Sequence, residues 1–320
     1  MISTDISKAA DLLKAGEVIG LPTETVYGLA GNIFNETAIR KIFSVKQRPF
    51  YNPLIVHLAG IDRLDQGAKG IPGIAIKLAE KFWPGPLTLL LQKQSAVPDL
   101  VTAGKTTVAV RVPDHRLALA LLKRIDFPLA APSANPFGCI SPTTAKHVDD
   151  YFGDNIPLVL DGGPCRNGVE STIIGFNDGE AILYRHGAIP MEEIEKITGK
   201  LKVYVKEENA PDAPGMLSKH YSPRTPTILT DNIQQVLKEH AGKKMALLLF
   251  NKKRNEYDPA LQWVLSPGSR LEEAASNLYA MLHTLDELKV DLIICEKMKE
   301  EGLGITMNDR LVRASVESLI

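Results

Sequence analysis

Residues 46–58 read KQRPFYNPLIVHL, and this stretch combines positive charge with a rigid backbone. Lys46 and Arg48 end a helical pattern, prolines and Asn52 follow, and the chain then turns apolar. Arginine suits bidentate contacts with phosphate, and lysine adds a compact positive charge. Cations at a helix end can also simply stabilise the helix dipole, by about 0.3–1 kcal/mol. The stretch therefore predicts either an anion site or an ordinary helix terminus.

Further polar side chains fall at the ends of predicted strands, where α/β sheets usually bind ligands. Arg111 stands in an otherwise apolar strand, so it needs a partner or a polar cavity. Plainer explanations exist too, since Ser141 before Pro142 fits a helix start and His57 fits a core histidine. The strand-end set is Thr23, Glu24, Thr25, His57, Thr107, Arg111, Ser133, Asn135, Ser141, Glu170, Ser171, Thr172 and Arg185. Together these residues favour an anion pocket.

The usual nucleotide, hydrolase and zinc motifs are absent from the sequence. The segment TAGKTTVAV resembles the end of a phosphate-binding loop, but Asp99 occupies the position of the required first glycine. A strand pattern follows that segment, whereas the motif needs a helix whose N-terminus receives the phosphates. No G-x-G-x-x-G follows a strand, no G-x-S-x-G occurs, and histidines and cysteines lack zinc spacing. Any nucleotide site must therefore be built differently.

The elements that would position these residues alternate between strands and helices, which predicts an α/β fold with a mixed sheet. Residues 35–46 form an amphipathic helix with Asn35 as its cap, and residues 171–185 read as a β-hairpin. A helix start is predicted at Ser141, and a further helix over the C-terminal residues 307–320.

A break in this pattern divides the chain. Prolines and polar residues dominate residues 206–226, where no apolar period survives. We therefore expect a catalytic or binding domain at 1–205, a linker at 206–226, and a smaller α/β domain at 227–320.

The composition is typical of a soluble globular protein, with 320 residues, 44% of them hydrophobic, and a net charge of -1. This near-neutral charge argues against a dedicated nucleic-acid coat or a polybasic membrane binder. Three scattered cysteines predict free thiols in a reducing compartment. No signal-peptide pattern opens the chain, and no apolar run could span a bilayer. We therefore expect a cytoplasmic protein without membrane contact.

Six segments occur in an order that closely resembles one family. They are LPTETVYGLAG, KQRPFYNPLIVHL, TVAVRVPDH, APSAN, DGG and VESTI. This pattern resembles the YrdC-like L-threonylcarbamoyladenylate synthases over about residues 5–205, and PGMLSKHYSP with the trailing domain resembles their two-domain form. The resemblance implies a YrdC-like twisted mixed sheet, with helices around a basic cavity, and a smaller Rossmann-like α/β domain.

The resemblance also implies a reaction. Such enzymes convert L-threonine, bicarbonate (or CO2) and ATP into L-threonylcarbamoyl-AMP and pyrophosphate. Their product supplies downstream transferase machinery that modifies adenosine 37 of tRNAs reading codons that begin with A. Mg2+ accompanies the nucleotide, bound mainly through ATP phosphates and without a protein ligand set. A direct contact with tRNA is a further expectation.

The roles of individual residues follow from the same resemblance. The implied catalytic set, a Lys-x-Arg pair with a Ser-x-Asn pair, is Lys46, Arg48, Ser133 and Asn135. The implied ATP contacts are Arg48, Asn52, Thr107, Ser133, Ser141 and Arg185, with His220 and Tyr221 covering the nucleotide. The implied threonine contacts are Thr25, His57, Arg111, Ser171 and the backbone at Ala131.

Two other functions remain open for the same basic cavity. One is a module that binds double-stranded RNA or tRNA without turnover, for which affinity should fall steeply with salt. The other is a carbamoyl or acyl transferase that acts on a different amine.

Overall fold

The computed structural model describes residues 1–204, 221–315 and 317–318. The predicted ATP contact His220 and most of the predicted linker 206–226 lie outside the described residues. No helix in the described part of the chain is long and apolar enough to cross a membrane.

A large mixed sheet organises the N-terminal part of the described chain. Its strands are β1 (Ile2–Ser3), β2 (Ile19–Leu21), β3 (Gly28–Asn32), β4 (Ile55–His57), β5 (Ala68–Lys69), β6 (Leu87–Lys93), β7 (Thr107–Arg111), β8 (Leu129–Ala130), β9 (Val159–Leu160), β10 (Thr172–Asn177), β11 (Glu180–Arg185) and β12 (Lys202–Val203). Their order is β1-β9-β2-β3-β8-β4-β7-β6-β10-β11-β12, with β5 paired to β6. Parallel pairs such as β4 with β7 adjoin antiparallel pairs such as β6 with β7, so the predicted mixed sheet is confirmed.

Helices pack on this sheet through apolar stripes. They are α1 (Ile6–Lys14), α2 (Glu36–Lys46), α3 (Gly73–Phe82), α4 (Asp99–Thr102), α5 (Arg116–Arg124), α6 (Ala145–Phe152) and α7 (Met191–Thr198), with 3-10 turns at Ile61–Gln66 and Gly153–Asn155. The predicted helix α2 is confirmed, because Asn35 Oδ1 accepts a hydrogen bond of 3.1 Å from the amide of Ala38. Its buried residues recur at helical spacing, which places Lys46 at its inward-facing end.

The predicted helix start at Ser141 is wrong. Helix α6 begins at Ala145, and its cap is Thr144, whose Oγ1 accepts a hydrogen bond of 3.2 Å from the amide of His147. Pro142 is instead held in the sheet region, because its carbonyl accepts a hydrogen bond of 2.8 Å from Tyr27. Ser141 is thereby free to turn its hydroxyl toward another partner.

The C-terminal part forms a second sheet whose neighbouring strands are all parallel. Its strands are β13 (Thr227–Thr230), β14 (Met245–Leu249), β15 (Gln262–Val264), β16 (Leu292–Glu296) and β17 (Glu317–Ser318), in the order β15-β14-β16-β13-β17. Its helices are α8 (Ile233–Glu239), α9 (Leu271–Asp286) and α10 (Leu303–Ala314), with a 3-10 turn at Pro259–Leu261. Strands such as β14 are buried along their whole length, as parallel strands covered by helices on both faces must be. The predicted Rossmann-like α/β domain is confirmed.

The predicted C-terminal helix over residues 307–320 is wrong at both ends. Helix α10 begins at Leu303 and ends at Ala314, where Ser315 takes an extended backbone conformation. Residues 317–318 then pair in parallel with β13, so the end of the chain joins the sheet.

One apolar cluster contains side chains from both parts of the chain. Val26, Ile140 and Val169 from the first part pack with Tyr279 of α9 and other C-terminal side chains. Gly168 lies so close to α9 that an added β-carbon would be 2.4 Å from the carbonyl oxygens of Ala275 and Ser276. Glycine is therefore required there by close approach as well as by its positive φ of 68°.

Candidate active site

A cavity lies where β4 and β7 end. Four of the predicted ATP residues and all five predicted threonine residues line it. Arg48, Arg111 and Arg185 give the cavity a basic wall, and Glu170 adds an acid. The lining residues are Thr23, Thr25, Val26, Gly28, Arg48, Ile55, His57, Arg111, Ala131, Pro132, Ser133, Glu170, Ser171, Arg185 and Tyr221.

Strand register explains why residues so distant in sequence meet here. Strands β4 and β7 are parallel, and His57 is paired with Arg111 at their ends. The amide of Ala131 donates a hydrogen bond of 2.9 Å to the carbonyl of Ile55, which brings the chain after β8 to the same edge. On the far side of β6, the start of β10 and the end of β11 lie at the same edge of the sheet.

Arg111 is held on three sides. Its Nη1 donates to Oγ1 of Thr25 at 3.0 Å, its Nε donates to the carbonyl of Gly85 at 3.2 Å, and its Nη2 lies 2.6 Å from Oε1 of Glu24. The Arg111 and Glu24 side chains are only 4% and 1% exposed, so each charge needs the other. Glu24 belonged to the strand-end set, but neither the pattern nor the resemblance gave it a role. It fixes the arginine that faces the cavity.

His57 is neutral in this cavity. Burial and the charge of Arg111 lower the pKa of His57 to about 3. Its Nδ1 lies 3.3 Å from the carbonyl of Ile55, which favours the tautomer with the hydrogen on Nδ1. Its Nε2 is then left as a hydrogen-bond acceptor, suited to a hydroxyl donor.

Ser171 and Arg185 form a second rigid corner of the cavity. The Arg185 Nη2 donates to the carbonyl and Oγ of Ser171 at 2.8 and 3.0 Å, and Nε donates to the same carbonyl at 3.2 Å. The Ser171 hydroxyl also lies 2.7 Å from Oγ1 of Thr88. Burial lowers the pKa of Arg185 from its ordinary value.

Lys46 joins the two predicted catalytic segments. Its Nζ donates to the backbone carbonyls of Ser133 and Asn135, and Lys46 is only 1% exposed. Burial, followed by the nearby charge of Arg48, lowers the pKa of Lys46 well below its usual value. A helix-dipole role does not explain these contacts. Lys46 is instead the support of the Ser-x-Asn loop, and it does not line the cavity.

Arg48 reaches the cavity from the same segment. Its Nε and Nη2 donate to the carbonyls of Asn52 and Pro53 at 3.2 and 2.8 Å. Burial lowers the pKa of Arg48 to about 9, and the charge of Arg185 adds to this effect. The proline-rich loop therefore serves to aim Arg48.

Two buried amides in these segments lack part of their hydrogen bonding. Neither Oδ1 nor Nδ2 of Asn52 has a partner among the described residues, and Asn52 is fully buried. Asn135 donates from Nδ2 to the carbonyls of Pro136 and Cys139, but its Oδ1 is likewise without a partner in the described chain. An unpaired buried polar group costs about 1–3 kcal/mol. Such groups are typical of sites that gain their partner with a ligand.

Thr107 and Ser141 were also predicted to contact ATP, and neither lines the cavity. Thr107 begins β7 while Arg111 ends it, a separation of roughly 13 Å at strand rise. Both lie on the same face of the strand, with Ala109 between them. Ser141 donates its hydroxyl hydrogen to Oε1 of Glu170 at 2.7 Å. A contact of either residue with ATP stays a prediction.

Sequence reasoning also missed the role of Glu170. Its carboxylate lies in the cavity wall and accepts hydrogen bonds from Tyr279 and Arg310 of the C-terminal part. The segment VESTI drew attention to this position, but the partners are 109 and 140 residues away in sequence. No local pattern could have connected them.

Two family models match the chain. The model described as "Telomere recombination", which is named for Sua5, YciO and YrdC, matches residues 11–187. The model described as "Threonylcarbamoyl-AMP synthase, C-terminal domain" matches residues 189–316.

Relatives from three organisms resemble the chain over most of its length. The threonylcarbamoyl-AMP synthase of Pyrococcus abyssi is 41% identical, over 96% of this chain and 93% of that protein. The Bacillus subtilis enzyme of the same name is 41% identical, over 97% and 92%. The Schizosaccharomyces pombe enzyme of that name is 36% identical, over 97% and 88%.

Solved structures agree with this. The crystal structure of P. abyssi Sua5 complexed with L-threonine matches with a TM-score of 0.90 and 40% identity, over 97% of this chain and 94% of that one. The crystal structure of Escherichia coli YciO matches 57% of this chain at 24% identity and a TM-score of 0.51, which shows the fold alone. The predicted YrdC-like fold is confirmed.

Proposed function

Because the chain belongs to the family of threonylcarbamoyl-AMP synthases in its two-domain form, we propose that the cavity binds L-threonine beside ATP and joins them through a carbamate. The products are L-threonylcarbamoyl-AMP and pyrophosphate. The observation that carries the proposal is the convergence of three arginines with a neutral histidine and a set of hydroxyl groups in one cavity. The RNA-binding alternative gains no support from the comparisons.

The amino acid would occupy the part of the cavity around Arg111. Its carboxylate would lie against the Arg111 guanidinium, which Thr25 and Glu24 hold in place. Its hydroxyl would donate to Nε2 of His57, which the backbone contact of the ring leaves as an acceptor. The hydroxyl of Ser171 and the backbone at Ala131 complete this half. A site built to accept a hydroxyl rejects amino acids without one.

The nucleotide would occupy the part around Arg48 and Arg185. These cations and Ser133 suit the phosphates, because charged donors form the strongest bonds to phosphate oxygens. Tyr221 lines the cavity and would cover the nucleotide. The same sheet face continues toward Thr107 over a buried apolar cluster, against which Tyr184 and Tyr204 pack. That cluster comprises Ile55, Leu90, Ala109 and Ile173.

The chemistry requires positioning rather than a covalent nucleophile. The neutral amine of threonine adds to CO2 derived from bicarbonate, and its proton passes to solvent. A carbamate oxygen then attacks the α-phosphorus, the bond to the bridging oxygen breaks, and pyrophosphate leaves. Arg48 and Arg185 would stabilise the charge that builds on the phosphate oxygens, since fixed charges in a buried site need no reorganisation. Lys46 and Asn135 would hold the Ser133 loop against the phosphates.

Mg2+ is proposed as a companion of the ATP phosphates. The described residues form no group of three or more histidine, cysteine, aspartate or glutamate side chains able to hold a metal ion. We therefore assign no step to protein-bound Mg2+.

The proposed biological setting is tRNA modification. The product would pass to transferase machinery that completes threonylcarbamoyladenosine at position 37 of tRNAs. We propose the cytoplasm as its location, since ATP, threonine and tRNA occur there together. The three cysteines are free thiols in the structure, which is compatible with that location.

Pyrophosphate release tests the proposal. We expect release from ATP only when threonine and bicarbonate are both present, and valine, which lacks the hydroxyl, should replace threonine poorly. The Arg111→Lys variant should raise the KM for threonine strongly, because a lysine cannot reproduce the fixed bidentate geometry. Pyrophosphate release that is independent of threonine would contradict the proposal.

A further inference from the structure

We propose that the C-terminal domain supplies two positioning residues to the ATP site, Tyr279 and Arg310, which act through the carboxylate of Glu170. This inference rests on the proposed function, because it concerns the ATP half of the same cavity. It assigns to the C-terminal domain an indirect part in nucleotide binding, through a residue of the cavity wall.

The contacts converge on one carboxylate. The hydroxyl of Tyr279 lies 3.1 and 3.0 Å from the two oxygens of Glu170 and donates its hydrogen there. Arg310 Nε donates to Oε2 at 2.8 Å, and Ser141 Oγ donates to Oε1 at 2.7 Å. Arg310 also donates from Nη2 to the carbonyl of His186 at 2.7 Å. Glu170 is thus clamped between a predicted ATP residue and two helices of the other domain.

These groups are buried, so their hydrogen bonds are not exchanged for water. Tyr279 is fully buried, and the side chain of Arg310 is likewise inaccessible. Burial alone would raise the pKa of Glu170, but Arg310 and Arg185 bring it below its usual value. Glu170 is therefore a carboxylate that can only accept hydrogen bonds.

The charge state of Glu170 fixes the polarity of Ser141. Because the Ser141 hydroxyl donates its hydrogen to the carboxylate, its oxygen is left as an acceptor, although Ser141 is fully buried and does not itself line the cavity. An ATP molecule that reached Ser141 would have to donate from a ribose hydroxyl or the adenine amino group, because a phosphate oxygen cannot donate. If Tyr279 or Arg310 were lost, Glu170 could turn or take up a proton, and Ser141 would lose this fixed orientation.

A second route leads through Tyr221, which lines the cavity. Its ring stacks on that of Tyr279 with centroids 5.7 Å apart, and the Arg310 guanidinium carbon lies 5.1 Å above it. Tyr221 also has a left-handed backbone conformation, with φ of 65°, which is costly for a bulky residue. The same two C-terminal side chains therefore support both Glu170 and the residue that would cover the nucleotide.

The alternative is that the cluster only stabilises the contact between the two domains and has no effect on ATP binding. Buried ion pairs often add little net stability, because desolvation offsets their attraction. The placement of Glu170 on the cavity wall, bonded to Ser141, is what favours a role in binding.

The decisive variant is Tyr279→Phe, which deletes only the hydroxyl and keeps the ring stacked on Tyr221. Its matched control is Tyr257→Phe, since Tyr257 donates to the carbonyl of Met245 within the C-terminal domain. We expect Tyr279→Phe to raise the Kd and KM for ATP about five- to tenfold, less than the full effect of one lost bond to a charged group, because the lost bond acts on ATP only through Glu170. The KM for threonine should stay within about twofold, and Tyr257→Phe should match the wild type in both values.

Arg310→Lys provides a second measurement that keeps the charge. Lysine can reach Glu170 or the His186 carbonyl but cannot reproduce both bonds, so ATP affinity should be intermediate between wild type and Arg310→Met. Val312→Ala on the same helix, where Val312 is exposed, is the control for helix damage. If Arg310→Met fails to fold, Arg310→Lys and Tyr279→Phe still decide the question.

The outcomes separate this inference from the proposed function. A wild-type Kd and KM for ATP in Tyr279→Phe, accompanied only by a lower Tm, would overturn the positioning role. ATP binding by calorimetry needs no turnover, so it tests the role even if threonine-dependent pyrophosphate release fails. Failure of that release in the wild-type protein would instead overturn the proposed function.

Discussion

Arg111 and His57 lie in register on neighbouring parallel strands and are both buried, but they have different partners. Arg111 meets the carboxylate of Glu24 at 2.6 Å, whereas His57 meets only a backbone carbonyl and the arginine's charge. The pKa of His57 therefore falls to about 3, and the ring is neutral at the pH of a cell. One strand edge thus offers a cation for a carboxylate and an acceptor for a hydroxyl.

Glu24→Gln should destabilise the protein, because it leaves a buried guanidinium without its countercharge. Removing one partner of a buried ion pair costs about 3–5 kcal/mol. Threonine should restore part of this loss by placing its own carboxylate on Arg111. We therefore expect threonine to raise the Tm of Glu24→Gln more than that of the wild type.

The control for this variant is Glu17→Gln, since Glu17 pairs with Lys41 in a partly exposed setting. Its Tm should change little, as is usual for pairs near the surface. Thermal unfolding with and without threonine supplies the comparison. An equal rise in Tm for Glu24→Gln and wild type would show that threonine does not meet Arg111.

At the scale of elements, the end of α2 and the loop after β8 form one unit. Lys46 binds the carbonyls of Ser133 and Asn135, and the proline-rich loop that follows aims Arg48 at the cavity. This unit explains why charge and rigidity occur together before a buried strand.

Lys46→Met should lower both stability and turnover. It removes the donor from the buried carbonyl of Asn135, at a cost of about 1–3 kcal/mol, and from the partly buried carbonyl of Ser133. Loss of the support should also loosen Ser133, which lines the cavity. Denaturant unfolding and pyrophosphate assays on one preparation give both values.

Lys41→Met is the matched control on the same helix, since Lys41 pairs with Glu17 near the surface. It should keep wild-type turnover and lose little stability. Normal stability and normal turnover in Lys46→Met would show that the buried ammonium is dispensable.

The sequence predicted those elements whose signals are local. Asn35 and the apolar stripe after it defined α2, and the turn at residues 178–179 defined the hairpin of β10 and β11. Some short strands were not predicted, such as β3, residues 28–32, which follows β2 closely and pairs with it. The Ser141 helix start failed because the hydroxyl has a distant partner, Glu170, that no local pattern reveals.

Across the whole molecule, the two domains meet through packed and titratable groups. His147 of α6 stacks on His283 of α9, with ring centroids 3.9 Å apart. Tyr151 lies beside the histidine pair. Several charged groups also act on the two histidines: the carboxylates of Asp150, Asp286 and Glu287 and the cations of Lys146 and Arg224. Burial, followed by the charge of His283, lowers the pKa of His147 to about 4. Burial also lowers the pKa of His283.

Acid should therefore weaken the contact between the domains. The folded-state pKa of each histidine lies below the unfolded value of about 6.5, so the folded protein binds fewer protons. The stability that this gives is present above about pH 6.5 and is lost as pH falls toward about 4. For the partly exposed His147 we expect a loss of about 1 kcal/mol between pH 7 and pH 5.

Denaturant unfolding at these two pH values gives the measurement. His147→Asn and His283→Asn should each reduce the difference in the free energy of unfolding between pH 7 and pH 5. His240→Asn at the end of α8 should leave that difference unchanged. If this difference were the same in all variants, groups other than His147 and His283 would cause the acid sensitivity.

The central claim is that one cavity joins threonine, bicarbonate and ATP. Mass spectrometry of a reaction with ¹³C-labelled bicarbonate tests it most directly. We predict an adenylate that contains threonine and one labelled carbon, formed only when all three substrates are present. An adenylate without the label, or AMP and pyrophosphate without any threonine adduct, would contradict the account.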